Sequence, residues 1–430
     1  MRNFCDAFSR FRSLIPAAAI FLALPVPASS YTLKTLLAFC SSQLPTCLAG
    51  AQPETGLLID ASGTLYGTAG EAGKFGGGLV FKLVPSGGTY TEFSLHNFCR
   101  QANCTDGERP DSELIMDVDG NLYGATIRGG QNDGGVVFKL THGKNGWGYT
   151  VLHDFCVSGC STGLEPGSGL TYAGQVNGAL YDGTSPLYGT TLVGGTFGDG
   201  TAYQLKHSGS TWTHTVIHNF KTSTGPNALV MDSSGNLFGT TQLRGKFGGG
   251  LMFKLANGTW NETILHQFCG TLDCADGKEP HGQLAMDGAG NLFGTTYEGG
   301  TSSVCPVKDG CGVVFERFAD GRYRVLYKFC SLANCTDGNS PLAGVILHNG
   351  RLFGTTGSGG TAANAGGTVF RLTPNSGNWS ESVLHSFCDA QCEDGEVPFA
   401  PVIFDGSGDL FGTTASFGPR GGGTVFELTP

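Results

Sequence analysis

Several of the segments that follow cysteine pairs carry an aspartate directly before a glycine, and some add a glutamate just after it. The acids in question are Asp106, Glu108, Asp276, Glu279, Asp337, Asp394 and Glu396. Carboxylates gathered at one mouth of a protein could bind Ca²⁺ or act as an acid/base pair on a glycan. The structural alternative is that Asp-Gly forms a turn whose side chain hydrogen bonds to its own backbone. Recurrence in four repeats favours this alternative, since catalysis needs an asymmetric set of residues.

Histidines recur at one position of the same repeats. The five are His96, His153, His218, His266 and His385. Their repetition predicts a packing and hydrogen-bonding position between repeats rather than a general base. His281 lies outside this pattern, in the link after the fourth repeat, and joins the acids as a candidate binding residue. No hydrolase elbow, zinc-protease helix or phosphate-binding loop is present. We therefore assign no catalytic residues and no cofactor, and Ca²⁺ is the one ion that the acids suggest.

These residues are positioned by a repeat centred on Leu-Tyr/Phe-Gly-Thr/Ala. Its glycines lie at 67, 124, 189, 239, 294, 354 and 412, about 50 to 65 residues apart. A period of this order, made of short apolar runs and glycine turns, predicts a propeller or another repeat array. Each repeat resolves into four runs rich in β-branched, aromatic and aliphatic residues, which is the signal of strands joined by tight turns.

We therefore predict an all-β fold: a seven-bladed β-propeller of four-stranded blades. The predicted blades span about 56–98, 112–155, 168–220, 226–268, 282–329, 342–387 and 400–428, the last together with 31–39. The seventh repeat has no fourth run, whereas Tyr31–Cys40 matches Tyr149–Cys156. The N-terminal strand should therefore join the last blade and close the ring, which removes open strand edges. An open β-solenoid is the alternative, and the split repeat argues against it.

Alternating strand directions divide the loops between two faces. Turns between runs one and two, and between three and four, share one face, here called the hairpin face. Loops between runs two and three and the links between blades share the other, here called the link face. The link face carries the cysteine pairs and the repeated acids, and we expect function there. Two insertions, Gly174–Pro186 and Thr301–Gly312, break the symmetry, and a specific site is expected near them.

Composition narrows the functional classes. The net charge is −10 and 14% of residues are charged, which disfavours binding to nucleic acid or anionic membranes. Arginines before the apolar run Leu14–Leu24 predict a signal peptide over residues 1–28, followed by one domain over 29–430. No later stretch is long and apolar enough to span a membrane. The sequence thus predicts a secreted monomer, periplasmic or extracellular.

Cysteine usage agrees with this location. Of the 15 cysteines, Cys5 lies in the predicted signal peptide. The others form seven local pairs: Cys40/Cys47, Cys99/Cys104, Cys156/Cys160, Cys269/Cys274, Cys305/Cys311, Cys330/Cys335 and Cys388/Cys392. In a secreted chain such pairs predict seven small disulfide loops. A metal site built from a histidine and two cysteines is the alternative, and it is disfavoured because Tyr327 replaces the histidine in one repeat.

The segments Gly235–Thr241 and Gly366–Pro374 resemble the GloVer tandem repeat of secreted bacterial "choice-of-anchor" proteins. The resemblance covers essentially the whole mature chain. It implies an exported bacterial protein with a propeller-like repeat. It implies no particular activity and supplies no catalytic residues.

Together these observations favour a secreted, disulfide-stapled propeller that acts as a binding or scaffold module for a glycan or a protein through the link face. The alternative is a polysaccharide-active enzyme, a glycoside hydrolase or lyase, that uses link-face carboxylates. An enzyme would require polar residues from unequal loops to converge with perturbed pKa values. A binding face would space the repeated acids evenly around the ring.

Overall fold

The structure is a computed structural model that describes residues 31–40, 47–144, 146–156, 159–209, 211–300, 305–306 and 308–430. Residues 31–430 form one compact unit. The predicted signal peptide lies outside the described residues, and its removal stays a prediction. Among the described residues, no helix is long and apolar enough to cross a membrane.

The strands fall into seven antiparallel sheets, one for each blade. Blade one contains β2 (Leu58–Ile59), β3 (Leu65–Ala69), β4 (Leu79–Ser86) and β5 (Thr89–Asn97). Blade two contains β6 (Ile115–Met116), β7 (Leu122–Thr126), β8 (Val136–Gly143) and β9 (Gly146–Asp154). Blade three contains β10 (Leu187–Thr191), β11 (Thr201–Ser208) and β12 (Thr211–Asn219).

Blade four contains β13 (Ser223–Pro226), β14 (Val230–Met231), β15 (Leu237–Arg244), β16 (Leu251–Leu255) and β17 (Glu262–Gln267). Blade five contains β18 (Lys278–Met286), β19 (Leu292–Glu298), β20 (Val313–Arg317) and β21 (Tyr323–Lys328). Blade six contains β22 (Ile346–His348), β23 (Arg351–Thr356), β24 (Thr368–Asn375) and β25 (Asn378–Ser386). Blade seven contains β26 (Ile403–Phe404), β27 (Leu410–Thr414), β28 (Gly421–Thr429) and β1 (Thr32–Cys40).

The predicted all-β, seven-bladed β-propeller is confirmed. Helical structure in the described residues consists of four 3-10 turns, Ala102–Cys104, Gln175–Asn177, Leu272–Cys274 and Ala333–Cys335. Two blades depart from the four-strand pattern at their inner edge. In blade three the inner strand is reduced to a bridge between Thr171 and Tyr188, and in blade four it is divided into β13 and β14, which both pair with β15.

The repeated glycine has a packing role that explains its recurrence. A Cβ on Gly67 would lie 2.6 Å from the ring of Phe81, and one on Gly239 would lie 2.8 Å from the ring of Phe253. Carbon atoms do not approach so closely without a shift of the structure. The glycine on the second strand therefore makes room for the aromatic ring on the third strand.

Aromatic pairs join each blade to the next. In each pair, a ring at the end of one blade's outer strand packs against a ring on the third strand of the following blade, with centroids 5.0–5.3 Å apart. Phe39 on β1 and Phe81 in blade one form such a pair at 5.3 Å. β1 pairs antiparallel with β28, from Thr32 opposite Thr429 to Cys40 opposite Gly421. That the ring depends on β1 for closure stays a prediction.

The link face is crosslinked as the sequence predicts. Short loops limit the entropic stabilisation to roughly 2 kcal/mol for each disulfide in the chain-entropy treatment. Such a density of disulfides is typical of proteins outside the cytoplasm. The seven disulfides are Cys40–Cys47, Cys99–Cys104, Cys156–Cys160, Cys269–Cys274, Cys305–Cys311, Cys330–Cys335 and Cys388–Cys392.

The two links that end at Cys160 and Cys392 have a shorter spacing between their cysteines than the other repeated links. The disulfides of both residues are confirmed, but each spans a sequence separation of 4, whereas three links with a separation of 5 contain a 3-10 turn that ends at the second cysteine. Neither Cys160 nor Cys392 follows such a turn in the described residues. The seven loops are therefore not of one kind, although the pairing pattern treats them alike.

One blade interface differs from its neighbours in its polar groups. Between blades one and two, His96 stacks on Tyr149 with ring centroids 4.0 Å apart. Between blades two and three, His153 stacks on His214 at the same centroid distance. The Nε2 atoms of His153 and His214 are buried and have no hydrogen-bond partner among the described residues. Burial lowers the pKa of His153 to about 4 and that of His214 to about 3.

This histidine pair predicts sensitivity to mild acid. A histidine whose pKa is lowered by folding destabilises the fold once the pH drops below its unfolded value of about 6.5, because the unfolded chain then takes up the proton. Each histidine contributes a slope of up to about 1.4 kcal/mol per pH unit. The His214→Tyr variant, which places tyrosine where blades two and five have it, should show a smaller loss of unfolding free energy between pH 6.5 and 4. Urea titrations across this range measure the slope, and equal slopes for both proteins would contradict the prediction.

Candidate functional site

The four link-loop aspartates, Asp106, Asp276, Asp337 and Asp394, are hydrogen bonded inside their own loops. Asp276 accepts from the backbone N–H groups of Gly270 and Thr271 and from the Thr271 hydroxyl, at 3.2, 3.3 and 2.6 Å. Asp106, Asp337 and Asp394 accept equivalent backbone N–H groups in their loops. Asp106 is 1% exposed and Asp337 is fully buried. These carboxylates therefore order the links, as the structural interpretation of Asp-Gly requires.

Three of the five repeated histidines are partners of these aspartates. Nε2 of His96 lies 3.3 Å from Asp106, that of His266 lies 3.1 Å from Asp276, and that of His385 lies 2.9 Å from Asp394. In the link that follows blade five, the hydroxyl of Tyr327 donates to Asp337 at 2.7 Å. At these four places the side chain thus joins the end of an outer strand to the disulfide loop that follows it, whereas His153 and His218 make no hydrogen bond of this kind among the described residues.

The cysteines that end the links have a backbone role besides their disulfides. The carbonyl of Cys160 accepts the N–H of Gly195 at 2.9 Å, and that of Cys392 accepts the N–H of Gly418 at 2.9 Å. Both glycines lie in the loop between the second and third strands of the following blade. Cys160 and Cys392 therefore hold the link against the next blade and contribute no ligand group, a role that their pairing alone did not predict.

The pair of His266 and Asp276 provides a stability prediction. Burial opposes ionisation, but hydrogen bonds from His266 and Thr271 outweigh it and lower the pKa of Asp276 to about 2. This stabilisation is present above about pH 4 and is lost as the pH falls toward 2. Asp276→Ala should lower the unfolding free energy at pH 7 by about 1–3 kcal/mol, because it removes the acceptor of the hydrogen bonds from His266, Gly270 and Thr271 that order the loop. Denaturant titration measures the loss. Asp273→Asn in the same loop is the control, and an equal effect of both changes would contradict the assignment.

The predicted glutamates lie on three separate links rather than in one cluster. Glu279 is 4.0 Å from Lys278, and Glu396 forms a backbone bridge with Ser416. Glu108 lines a groove beside Arg109. Within the described residues, two groups place three potential metal ligands close together, and both include disulfide-bonded cysteines, which cannot act as thiolate ligands. Binding of Ca²⁺ to the link-face acids stays a prediction.

A different set of residues lines the cavity at the centre of the ring. The cavity has a volume of about 460 Å³ and is formed by the inner edges of the blades, within the size range of small-molecule sites. His281, predicted to lie on the link face, instead belongs to β18 and lines this cavity. The sequence suggests a loop there because the inner strand of blade five begins earlier than its apolar run.

A proline at the start of each inner segment fixes how the chain enters the cavity wall. The seven are Pro53, Pro110, Pro166, Pro226, Pro280, Pro341 and Pro398. The residue before each has a positive φ, as at Arg109 with φ 56°. The Arg109 N–H donates to the carbonyl of Gly77 in the preceding blade at 2.9 Å. A Cβ on Gly78 would lie 2.6 Å from Pro110, so a glycine is needed where the proline ring packs.

Counting from these prolines identifies the residues that face the cavity. The first and third residues after each proline line it in six of the blades, and blade four, which is one residue shorter here, contributes the first two. At the first position these are Glu54, Asp111, Gly167, Asn227, His281, Leu342 and Phe399. At the next cavity-facing position they are Gly56, Glu113, Gly169, Ala228, Gln283, Gly344 and Pro401. A strongly repetitive chain thus becomes irregular at the positions that face its central cavity.

The irregularity gives the cavity distinct sides. Blades one and two supply carboxylates, and blades four and five supply amides and an imidazole. Blade three supplies glycines, which leave space, and blades six and seven supply an apolar wall of Leu342, Phe399 and Pro401. The fourth residue after the proline is a leucine or valine that points into the core, such as Leu57, 7% exposed, and Val402, fully buried. The repeat is therefore preserved in the core and varied in the cavity.

An ion-pair cluster borders the carboxylate side. Nε of Arg109 lies 3.0 Å from Asp111, and a terminal nitrogen of Arg109 lies 3.4 Å from Glu54. Burial and the nearby negative charge of Glu54 raise the pKa of Asp111 to about 6, although Arg109 opposes this shift. Burial also raises the pKa of Glu54. One oxygen of Asp111, Oδ1, is buried without a hydrogen-bond partner in the described part of the chain.

Glu113 is the most isolated acid of the cavity. A Cβ on Gly56 would lie 2.9 Å from its Oε1, and one on Gly169 would lie 3.5 Å from its Cβ. Gly56 of blade one therefore makes room for this side chain, whereas a Cβ on Gly169 of blade three would be in ordinary van der Waals contact with it. Burial raises the pKa of Glu113. Its carboxylate forms no hydrogen bond with any described residue, which leaves both oxygens available to a ligand.

The opposite side supplies neutral polar groups. Burial lowers the pKa of His281 to about 4, so its imidazole is neutral at pH 7. Its ring nitrogens make no hydrogen bond to the described residues. Gln283 donates to the carbonyl of Leu229 at 2.5 Å, and Asn227 donates to the carbonyl of Pro280 at 2.8 Å. These two amides are held in place by the backbone of adjoining blades.

The blade-three insertion lies against the same cavity, as its asymmetry suggested. Its 3-10 turn places Gln175 and Val176 in the lining. The carbonyl of Tyr181 accepts the N–H of Val118, in the first hairpin of blade two, at 2.9 Å. The insertion is therefore attached on the hairpin side of the ring.

Solved structures similar to this chain are propellers of low sequence identity. One is a candidate 6-phosphogluconolactonase of Bacteroides fragilis, 13% identical with a TM-score of 0.49 over 87% of this chain and 94% of that one. A protein from Lactobacillus plantarum is 16% identical with a TM-score of 0.46, over 79% and 86%. A gluconolactonase from Xanthomonas campestris is 14% identical with a TM-score of 0.39, over 74% and 87%. Comparison with curated proteins gives no match.

The repeat itself is identified by its sequence. The Gloeobacter/Verrucomicrobia repeat matches residues 26–186, 179–331 and 306–430. These matches extend over the propeller from its first strand to its last. The chain therefore belongs to the Gloeobacter/Verrucomicrobia repeat family.

Proposed function

We propose that this protein is a secreted, monomeric binding module that holds the terminal unit of a neutral glycan in its central cavity. The observation that carries the proposal is the loss of repetition at the cavity-facing positions, while the core stays repetitive. Residues that serve folding alone can be the same in every blade. A ligand without sevenfold symmetry requires different contacts from different blades.

The chemistry of the lining favours a sugar. Sugar hydroxyls both donate and accept hydrogen bonds. Carboxylates can accept from them, carboxamides can accept and donate, and the neutral imidazole of His281 offers one donor and one acceptor. Leu342, Phe399 and Pro401 provide an apolar wall against which the C–H face of a sugar ring can pack. A volume of about 460 Å³ is sufficient for one or two sugar units.

The charges favour a neutral ligand over an anionic one. Glu54, Asp111 and Glu113 line the cavity, and Arg109 is the cation paired with two of them. A phosphorylated sugar or a uronate would meet uncompensated negative charge in a partly desolvated site. We therefore expect neutral or amino sugars to bind and acidic sugars to be rejected.

The test is a glycan array combined with retention on insoluble polysaccharides, with and without Ca²⁺. Wild type is compared with Ala228→Trp, which should fill the cavity without removing a polar group. The proposal expects retention of neutral glycans by wild type and its loss in Ala228→Trp, with Glu393→Gln, an exposed link-face change, as the control. Equal retention by all three proteins would place the ligand elsewhere, and no retention would overturn glycan binding.

A second candidate function, hydrolysis or elimination on a polysaccharide, is favoured by one observation. A carboxyl whose pKa lies at about 6, as for Asp111, can exchange a proton near neutral pH. The unpaired Glu113 would then be the second carboxyl. Assay of the same polysaccharides for new reducing ends or unsaturated products, with Asp111→Asn as the comparison, distinguishes this candidate. Product released by wild type and abolished in the variant would replace the binding module with an enzyme.

A further inference from the structure

A second concavity lies on the link face between blades one and two. Its volume is about 410 Å³. Its charged side chains are Glu71, Glu108, Arg109 and Arg128, and small residues complete its wall. Glu71 and Arg128 come from the loops between the second and third strands of the two blades, and Glu108 comes from the link that joins them. We refer to it as the inter-blade groove.

The inter-blade groove adjoins the central cavity. Arg109 lines the groove, while its guanidinium binds Asp111 and Glu54 on the cavity wall. Gly70 also lines the groove, and a Cβ placed on it would lie 2.9 Å from Oδ1 of Asp111. The side chain of Arg109 therefore lies between the groove that it lines and the two carboxylates of the cavity wall.

The polar groups of the groove are open to a ligand. In the described structure, the side chains of Glu71, Glu108 and Arg128 make no hydrogen bond or ion pair. Arg128 is exposed, whereas both glutamates are partly buried. The two acceptors and the guanidinium donor together can bind hydroxyl groups.

An aromatic ring lies next to the groove. Phe75 precedes Gly76, which lines the groove, and its side chain is 42% exposed. Nζ of Lys74 lies 5.4 Å from the centroid of the Phe75 ring. Phe75 is one of four exposed phenylalanines in the loops between second and third strands, with Phe197, Phe247 and Phe417, and its ring offers an apolar surface to a ligand in the groove.

We infer that the inter-blade groove is a second sugar subsite, so that the ligand is the end of an oligosaccharide or polysaccharide rather than a free monosaccharide. This inference rests on the proposed function of the cavity. The terminal unit occupies the central cavity and the preceding unit passes Arg109 into the groove. The adjoining chain then leaves across the link face beside Phe75. The protein thus recognises a chain end together with the linkage behind it.

The test is a titration series with malto-, cello-, xylo- and chito-oligosaccharides of one to six units, followed by calorimetry. For the series that binds, wild type should hold the dimer or trimer at least about tenfold more tightly than the monosaccharide, because the groove adds hydrogen bonds. Arg128→Ala should reduce oligomer affinity to that of the monosaccharide and leave monosaccharide affinity unchanged. Arg420→Ala, an exposed arginine in the corresponding loop of blade seven, is the matched control.

The outcomes separate the groove from the cavity. Monosaccharide binding with no gain on chain extension, or a gain that survives in Arg128→Ala, would overturn the groove and leave the cavity proposal intact. An equal loss in Arg128→Ala and Arg420→Ala would also overturn the groove, since the effect would then be general to the face. Failure of every sugar to bind would overturn the cavity proposal and the groove with it.

Discussion

Deletion of residues 31–40 is expected to lower the free energy of unfolding by more than about 5 kcal/mol, which is comparable to the whole stability of many domains. The deletion removes β1, the outer strand of blade seven, and exposes the backbone of β28 along its length. It also removes Phe39, which is fully buried against Phe81 of blade one. Loss of one buried phenylalanine costs about 3–5 kcal/mol, and the lost strand pairing adds to this.

The experiment compares chains that begin at residues 31 and 41 by urea unfolding and by aggregation. Because the shorter chain leaves Cys47 without Cys40, the control is the longer chain with Cys40→Ser and Cys47→Ser. A synthetic peptide of residues 31–40 should restore stability to the truncated chain by pairing with β28, as added strands do in other sheets. An unchanged unfolding midpoint in the truncated chain would show that the ring does not depend on β1.

Glu113→Gln is expected to weaken binding of the glycan by about 10- to 100-fold, the range for loss of one or two hydrogen bonds to a charged acceptor. The substitution keeps the shape of the side chain and removes its charge. It should also raise the thermal midpoint at pH 7, because the raised pKa of Glu113 means that its ionised form is disfavoured in the folded protein. Ionised Glu113 would thus destabilise the fold but bind the ligand, so that its replacement should raise stability and lower affinity.

The pH dependence adds a second measurement for Glu113. Wild-type affinity should fall as the pH drops through the raised pKa of this carboxyl, since the protonated acid loses one acceptor. The Glu113→Gln variant should lose that part of the pH dependence and retain the part due to Asp111. Calorimetric titrations between pH 4 and 8 provide both profiles, with Glu393→Gln as the control. Affinity and pH profile unchanged in Glu113→Gln would remove this residue from the site.

The fold was predictable because the same packing contacts recur in every copy of the sequence repeat. Each Leu-Tyr/Phe-Gly-Thr/Ala segment needs its glycine beneath an aromatic ring of the next strand, as Gly239 lies beneath Phe253. Such local requirements recur in every blade and are visible without knowledge of long-range contacts. The cysteine pairs were predictable for the same reason, since each closes a short loop of 4 to 7 residues on the link face. The hydrogen bond from a glycine of the following blade to the carbonyl of the second cysteine, as at Cys160 and Cys392, was not predictable from the cysteine spacing.

The candidate site was harder to predict because its residues are unrelated in type. Repeated acids such as Asp106 and Asp276 drew attention to the links, but repetition indicated their role in ordering the loops. Glu113 carries no motif, whereas His281 was a candidate because it lies outside the repeated histidine position, although it was expected on the link face. Such cavity residues come together through ring closure rather than through sequence. Aligning the repeats on their prolines would have revealed them, because the first and third residues after proline vary while the fourth stays apolar.

In blade three, the sequence predicted one feature of the structure and missed another. Its insertion was expected to mark a site because it breaks the repeat, and the structure places Gln175 and Val176 from it in the cavity wall. Reduction of its inner strand to a bridge at Thr171 was not predicted. Whether a short strand forms depends on which neighbours take up its hydrogen bonds. Here one such neighbour is the first hairpin of blade two, which bonds to Tyr181 and lies far away in sequence.

The most direct test of the account is a crystal structure of the protein with the oligosaccharide that the glycan array retains best. We predict one sugar chain per protein, with its terminal unit in the central cavity and within hydrogen-bond distance of Glu113 and His281. A sugar bound instead at the repeated link-loop acids, such as Glu108 and Glu396, with the cavity free of it, would contradict the account. Such a result would place the binding site among the repeated link loops of the propeller.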